Sequence, residues 1–258
     1  MLYITPYNHI HFILKSEILI AKEAIWSLNA TKGGIETYPI SDYIFHSLFL
    51  RLTGAQEQKL KCICWEMACR DYEYRYKRYE RTPYSECSDY KDKCMVYNDI
   101  LEEIKKIDKT FVITEAIKKE ILNDWRTSIQ ELFENSVLVQ SFHRKYIEYK
   151  EIVPNVRTDW IMGENQLFLK KDNIPESDRC ATCGLTLYEI FTEYIYRERN
   201  RCAHNTKSYQ QNLPTFAILE SPEYKIQNYF LYISIIILLD NIYVTLFKFY
   251  LEKLERRH

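Results

Sequence analysis

The sequence predicts an all-α protein, and three observations lead there. Only 5 Gly and 7 Pro occur in 258 residues, so few tight turns are encoded, while Leu, Ile, Glu, Lys and Tyr are plentiful. Apolar residues recur three and four positions apart over long stretches, the period of a helix with one buried face. Thr186 and Glu189 have the spacing of a capping box, a signature of helix initiation.

Taken in order, residues 6–29 read as a helix that ends before Gly33 and Gly34. A second helix runs from Ser41 to about Leu52, and a third from about Ala55 to Arg81, stopping at Pro83. Val96, Ile100, Ile104 and Ile107 mark an amphipathic helix. Ile117, Ile121, Trp125, Ile129 and Leu132 repeat the pattern in a segment that reaches Lys150 with a break. Pro154 ends it, because proline lacks the N–H that a helix interior needs. Residues 151–178 lose the period and contain Pro154, Gly163 and Pro175, so they read as a long connection.

A further helix starts at Thr186 or slightly before and turns Leu187, Ile190, Phe191, Tyr194 and Ile195 inward. A polar loop over 205–223, with Pro214 and Pro222, separates it from a last helix at about 225–255. That helix contains the one strongly apolar run, YFLYISIIILL at 229–239, which Asp240, Asn241 and Lys248 interrupt. A membrane span needs about 20 uninterrupted apolar residues, so a buried core helix is expected. At this length the chain forms one large domain or two small ones.

With 35 basic and 36 acidic residues the formal net charge is −1, so no global field draws the protein onto nucleic acid. Nucleic-acid binding would have to come from a local patch. Eight cysteines in a chain this long and this apolar do not form a disulfide framework, and are read as reduced thiols. The opening MLYITPYNHIHFILK has no basic region or small-residue cleavage site. A cytoplasmic protein is the expectation.

The densest local patch is YIYRERNRCAHN, residues 194–205, which sets Arg197, Arg199 and Arg201 beside His204. A solvated helix end explains such charge simply, since cations suit a helix C-terminus. Phosphate chemistry explains more of it. His204 can exchange a proton near neutral pH, Arg199 can clamp a phosphate in a bidentate fork, and Asn200 can orient either group. Five positions turn an α-helix through about 500°, or about 140° net. Arg199 and His204 therefore converge only if the helix ends near His204, or if two copies meet across a dimer interface.

RNRCAHN, at the end of one helix and followed by a loop and a long last helix, resembles the signature of the HEPN-domain ribonucleases. The resemblance covers about residues 111–258, leaving 1–110 as an N-terminal helical extension or part of the same bundle. It implies an antiparallel helical bundle, usually dimeric, in which two motifs form a composite metal-independent endoribonuclease site. Arg199, Asn200 and His204 then take the catalytic positions, with Arg197 at a looser spacing. It also implies a toxin or antiviral-defence setting and an antitoxin or regulatory partner. One branch of the family has Tyr two residues after the His; here Thr206 stands there, against that branch's regulation by nucleotide attachment.

Residues 71–84, DYEYRYKRYERTPY, interleave aromatics with Arg75, Lys77, Arg78 and Arg81. Tyr72, Tyr76 and Tyr79 on one face suit base stacking with cations on phosphates, so Arg75 and Arg78 join Arg197 and Arg201 as candidate RNA contacts. Packing of a tyrosine face on the bundle is the competing expectation, because Asp71, Glu73 and Glu80 dilute the charge. Cys180 and Cys183 have zinc-ligand spacing but no second pair, and His9, His11, His46 and His143 lack Cys or carboxylate partners at ligand spacing in the sequence. No metal and no cofactor are expected. The reading is an endoribonuclease acting on RNA as a homodimer, with a non-catalytic RNA-binding or protein-interaction module as the alternative.

Overall fold

The computed structural model describes residues 9–30, 38–81, 87–174, 184–204 and 226–256. Helices dominate, as the periodicity predicts. The first segment divides into α1 (His9–Leu14) and α2 (Ile18–Asn29) rather than forming one helix. Asp240, reaching in from the far end of the chain, accepts a hydrogen bond from the Glu17 backbone N–H at 2.8 Å at the break.

The two helices expected around Leu52 and Ala55 are a single one, α3 (Tyr38–Arg70). Gly54 lies within it. A mid-helix glycine costs roughly 0.5–1 kcal/mol, and each well-buried apolar side chain contributes about 1.5–3 kcal/mol. Phe49, Leu52, Leu60, Ile63 and Met67 are all fully buried, so tertiary packing outweighs the local penalty.

After the short α4 (Tyr72–Arg75), capped by the Asp71 side chain, the chain follows a π-helical turn over Tyr76–Arg81. Next come α5 (Tyr90–Ile107) and α6 (Glu115–Phe133), each with an Asp or Thr N-cap. Asn135 at φ 63 breaks the segment that follows into α7 (Val137–Ser141) and α8 (His143–Ile152). Pro154 lies just beyond α8, where the sequence places the stop.

The connection after α8 holds a feature the sequence reading missed. β1 (Ile161–Gly163) and β2 (Gln166–Phe168) form a small antiparallel hairpin, paired Ile161 to Phe168 and Gly163 to Gln166. It docks on α5: Tyr97 donates its hydroxyl to the Gly163 carbonyl, and the Tyr90 hydroxyl accepts from the Phe168 N–H at 2.8 Å. An isolated two-stranded hairpin is barely stable in water, so this one exists because α5 receives it.

Thr186 and Glu189 form the expected capping box and open α9 (Leu187–Glu189). A π-helical stretch, Ile190–Ile195, leads on into α10 (Tyr196–His204). The last helix, α11 (Tyr229–Glu255), packs against α3, α5 and α6. Its length and apolar character would allow a membrane crossing, but 89% of its most apolar window is buried within the protein. Side chains from both sides of residue 110 enter one hydrophobic core around α11, including Ile63 and Ile100 with Trp125 and Ile236.

Candidate functional site

α10 carries Arg197, Glu198, Arg199, Asn200 and Arg201 in succession, and the paired ones among them turn to different neighbours. Arg199 turns toward α3. Its Nη2 donates to both carboxylate oxygens of Glu57, at 2.9 and 3.2 Å, and its Nη1 donates to Asn200 Oδ1 at 3.1 Å. The Arg199 side chain is 27% exposed, so a guanidinium held on two sides still meets solvent. Asn200 is thus a hydrogen-bond acceptor for the neighbouring Arg199. Glu57 has no counterpart in the sequence reading, because its partner lies 142 residues away.

On a neighbouring face Glu198 gathers donors. It accepts from Arg201 Nε at 2.8 Å, from the Tyr229 hydroxyl and from the Cys202 thiol at 3.4 Å. Burial pushes the Glu198 carboxyl up, but the bonds from Arg201 and Tyr229 prevail and hold it below the usual range. The same site lifts the Cys202 thiol to about 11, through burial first and the Glu198 charge second. Arg201, though largely solvent-facing, is therefore an ion-paired side chain rather than an uncommitted one. Arg197 is exposed.

His204 is the last described residue of α10. Its side chain lies outside the described residues, as do Cys180, Cys183, Thr206 and the 205–223 loop.

The second candidate surface is divided. Arg75 is exposed, with Tyr72 75% exposed close by. Arg78 corrects its assignment as an RNA contact: its side chain is 8% exposed and faces Asp99 at 3.9 Å and Cys87 Sγ at 3.9 Å. A buried guanidinium needs its carboxylate and cannot be drawn out to a phosphate without stranding Asp99. The π-helical turn that begins at Tyr76 changes the register along this segment: Tyr72 and Tyr76 are exposed, while the Tyr79 ring lies 6.2 Å from that of Trp65.

Two more residues belong to the site without any sequence signal. Lys93, on α5, is 2% exposed, donates to the Cys87 carbonyl at 2.7 Å and lies 6.0 Å from the centre of the Phe191 ring. Burial pushes its ammonium down to about 8, with Glu57 countering and Arg199 adding to the shift. His46, on α3, is not isolated in space: its ring packs at 4.7 Å, edge-on, against Tyr229, beside Glu198 and Cys202. No family model, no curated protein and no solved structure matches this chain, so the reading of the site rests on its own residues.

Proposed function

We propose that this protein is a metal-independent endoribonuclease whose working residues are Arg199, Asn200 and His204. The supporting observation is the state of Arg199. Its guanidinium is oriented by Glu57 and Asn200, its side chain stays partly open to solvent, and it lies on the same helix as His204. Preorganised donors of this kind stabilise charge that develops on a phosphate, because they need not reorganise during reaction.

In this reading His204 takes the proton from a ribose 2′-hydroxyl, which attacks the adjacent phosphorus. Arg199 neutralises the extra charge on the phosphorane oxygens, and departure of the 5′-oxygen with a proton leaves a 2′,3′-cyclic phosphate and a 5′-hydroxyl. The attacking group is the substrate's own, so no ion is required to generate a nucleophile. A second copy of the chain would bring a second α10 to a composite site, and the resemblance to HEPN-domain ribonucleases suggests a toxin or antiviral-defence setting.

A second reading draws on the same ion pair. Arg199 bridged to Glu57 is also what a purely structural brace between α10 and α3 looks like, and a non-catalytic RNA-binding or interaction module would need nothing more.

An RNA-cleavage assay in excess chelator separates the two. The wild type cuts; His204→Ala loses about 10²- to 10⁴-fold in rate, the usual value of a positioned proton-transfer group. Arg199→Ala loses about 10²- to 10³-fold. Wild-type cleavage by a folded, nuclease-free His204→Ala preparation, or strict dependence on added Mg²⁺, would discard the ribonuclease reading.

A further inference from the structure

Where α10 faces α3, three metal-ligating side chains converge. A ring nitrogen of His46, a carboxylate oxygen of Glu198 and the Cys202 sulfur all lie within 4.8 Å of one another, and none of the three residues is fully buried or fully exposed. Glu198 and Cys202 stand four apart on one face of α10, and His46 comes from α3.

The histidine is already set up for ligation. Its Nδ1 lies 2.8 Å from the Asp42 backbone carbonyl. A carbonyl can only accept, so Nδ1 carries the hydrogen and the neutral ring keeps its lone pair on Nε2. This is the contact that orients metal-binding histidines and makes them better donors. The Tyr229 ring, packed edge-on, limits how the imidazole can turn.

We propose that His46, Glu198 and Cys202 form a binding site for a zinc-class divalent ion, with water as the fourth ligand. One thiolate, one imidazole and one carboxylate select a borderline-soft ion such as Zn²⁺ over Mg²⁺ or Ca²⁺, which prefer all-oxygen shells. Ligands about 2.0–2.3 Å from a tetrahedral ion are roughly 3.3–3.8 Å apart, so the cluster closes by up to about 1.5 Å on loading.

The exchange balances. Cys202 releases its thiol proton to solvent, and Glu198 gives up the Cys202 and Arg201 hydrogen bonds for the ion. Arg201, whose side chain is 44% exposed, moves out into water. The loaded site ties α10 to α3 directly beside Arg199 and two residues before His204. It does not rest on the ribonuclease reading. Chelation strips this ion whether or not the protein cleaves RNA, and the measurements below use no RNA.

The test is Co²⁺ and Zn²⁺ titration of the full chain. One equivalent of Co²⁺ should produce a thiolate-to-cobalt charge-transfer band together with the visible bands of a tetrahedral ion, and Zn²⁺ should displace it. Cys202→Ser abolishes the band, and His46→Gln weakens Zn²⁺ affinity by at least about 100-fold, the upper end of what even outer-shell partners are worth. Arg201→Gln, which removes the competing cation, tightens binding by about 2- to 5-fold, the worth of an exposed ion pair.

Should a variant fail to fold, the wild type decides alone: Zn²⁺ protects Cys202 from alkylation, read by peptide mass mapping. Binding retained in Cys202→Ser, binding lost instead in Cys180→Ser/Cys183→Ser, or an unprotected Cys202 overturns the proposal.

Discussion

Two residues on one turn of α3 lead to opposite ends of the molecule's chemistry. Lys59 turns into the core, where its ammonium, 2% exposed, is hydrogen-bonded to Asp240 of α11 and to the Lys15 carbonyl at 2.8 Å. Glu57 turns to α10 and pairs with Arg199 at a surface that solvent still reaches. Both are ion pairs joining distant helices, yet only one can take part in binding. Asp240 accepts from Lys59, from the Glu17 N–H and from Ser16, and is 1% exposed. Around Arg199 the partners leave part of the guanidinium open. Charge inside a helical bundle is thus of two kinds, one sealed for fold and one left accessible, and the difference is burial rather than residue type.

The sharpest way to break this contrast is to remove the sealed cation. Lys59→Met leaves the Asp240 carboxylate buried with no counter-charge and should cost about 3–5 kcal/mol in denaturant unfolding, the usual penalty for stranding a buried ion. Arg199→Ala should cost no more than about 1 kcal/mol, since a partly exposed pair is screened by water. Equal losses from the two would erase the distinction.

Glu17 sharpens it through pH. Both of its carboxylate oxygens lack a hydrogen-bond partner, and the nearer one is 3.8 Å from Lys59 Nζ, beyond hydrogen-bond reach. Burial first, and the Asp240 charge second, hold this carboxyl well above its ordinary value of 4.5. The folded chain therefore keeps a proton that the unfolded chain releases above about 4.5. Stability from that proton is complete below the unfolded value and declines as pH rises. Glu17→Gln should remove this part of the decline, leaving the variant more stable than wild type at neutral pH and not in acid. A steeper decline in the variant would show that Glu17 is ionised in the core.

The smallest effect belongs to the accessible pair. Glu57→Gln keeps an acceptor for Arg199 but deletes a negative charge next to the proposed phosphate position. RNA binding should tighten by about 2- to 5-fold, as removal of one screened like charge allows. A filter-binding comparison showing weaker binding would mean that Glu57's charge is needed to hold the guanidinium in place.

Much of the fold was legible in the chain. The capping box at Thr186, the amphipathic periods of α5 and α6 and the stop at Pro154 are local signals, each written within a few residues, and each is found where the sequence places it. The hairpin at 161–168 was not legible, because its three-residue strands carry little pattern and depend on Tyr90 and Tyr97 of α5 to receive them. The break expected between Leu52 and Ala55 is absent for the complementary reason: a local helix penalty such as that of Gly54 is overridden by the core that α3 buries.

The sequence by itself determined the helical class, the apolar stripe that became α11, and a helix carrying Arg199, Asn200 and His204. Only the tertiary structure decided the company those residues keep. It brought Glu57 to Arg199 and His46 to Glu198 and Cys202, and it took Arg78 out of solvent. Periodicity and capping act between neighbours along the chain, so they can be read from spacing. Ion pairing and ligand convergence act between side chains brought together by the burial of apolar faces, and no spacing along the chain records which ones meet.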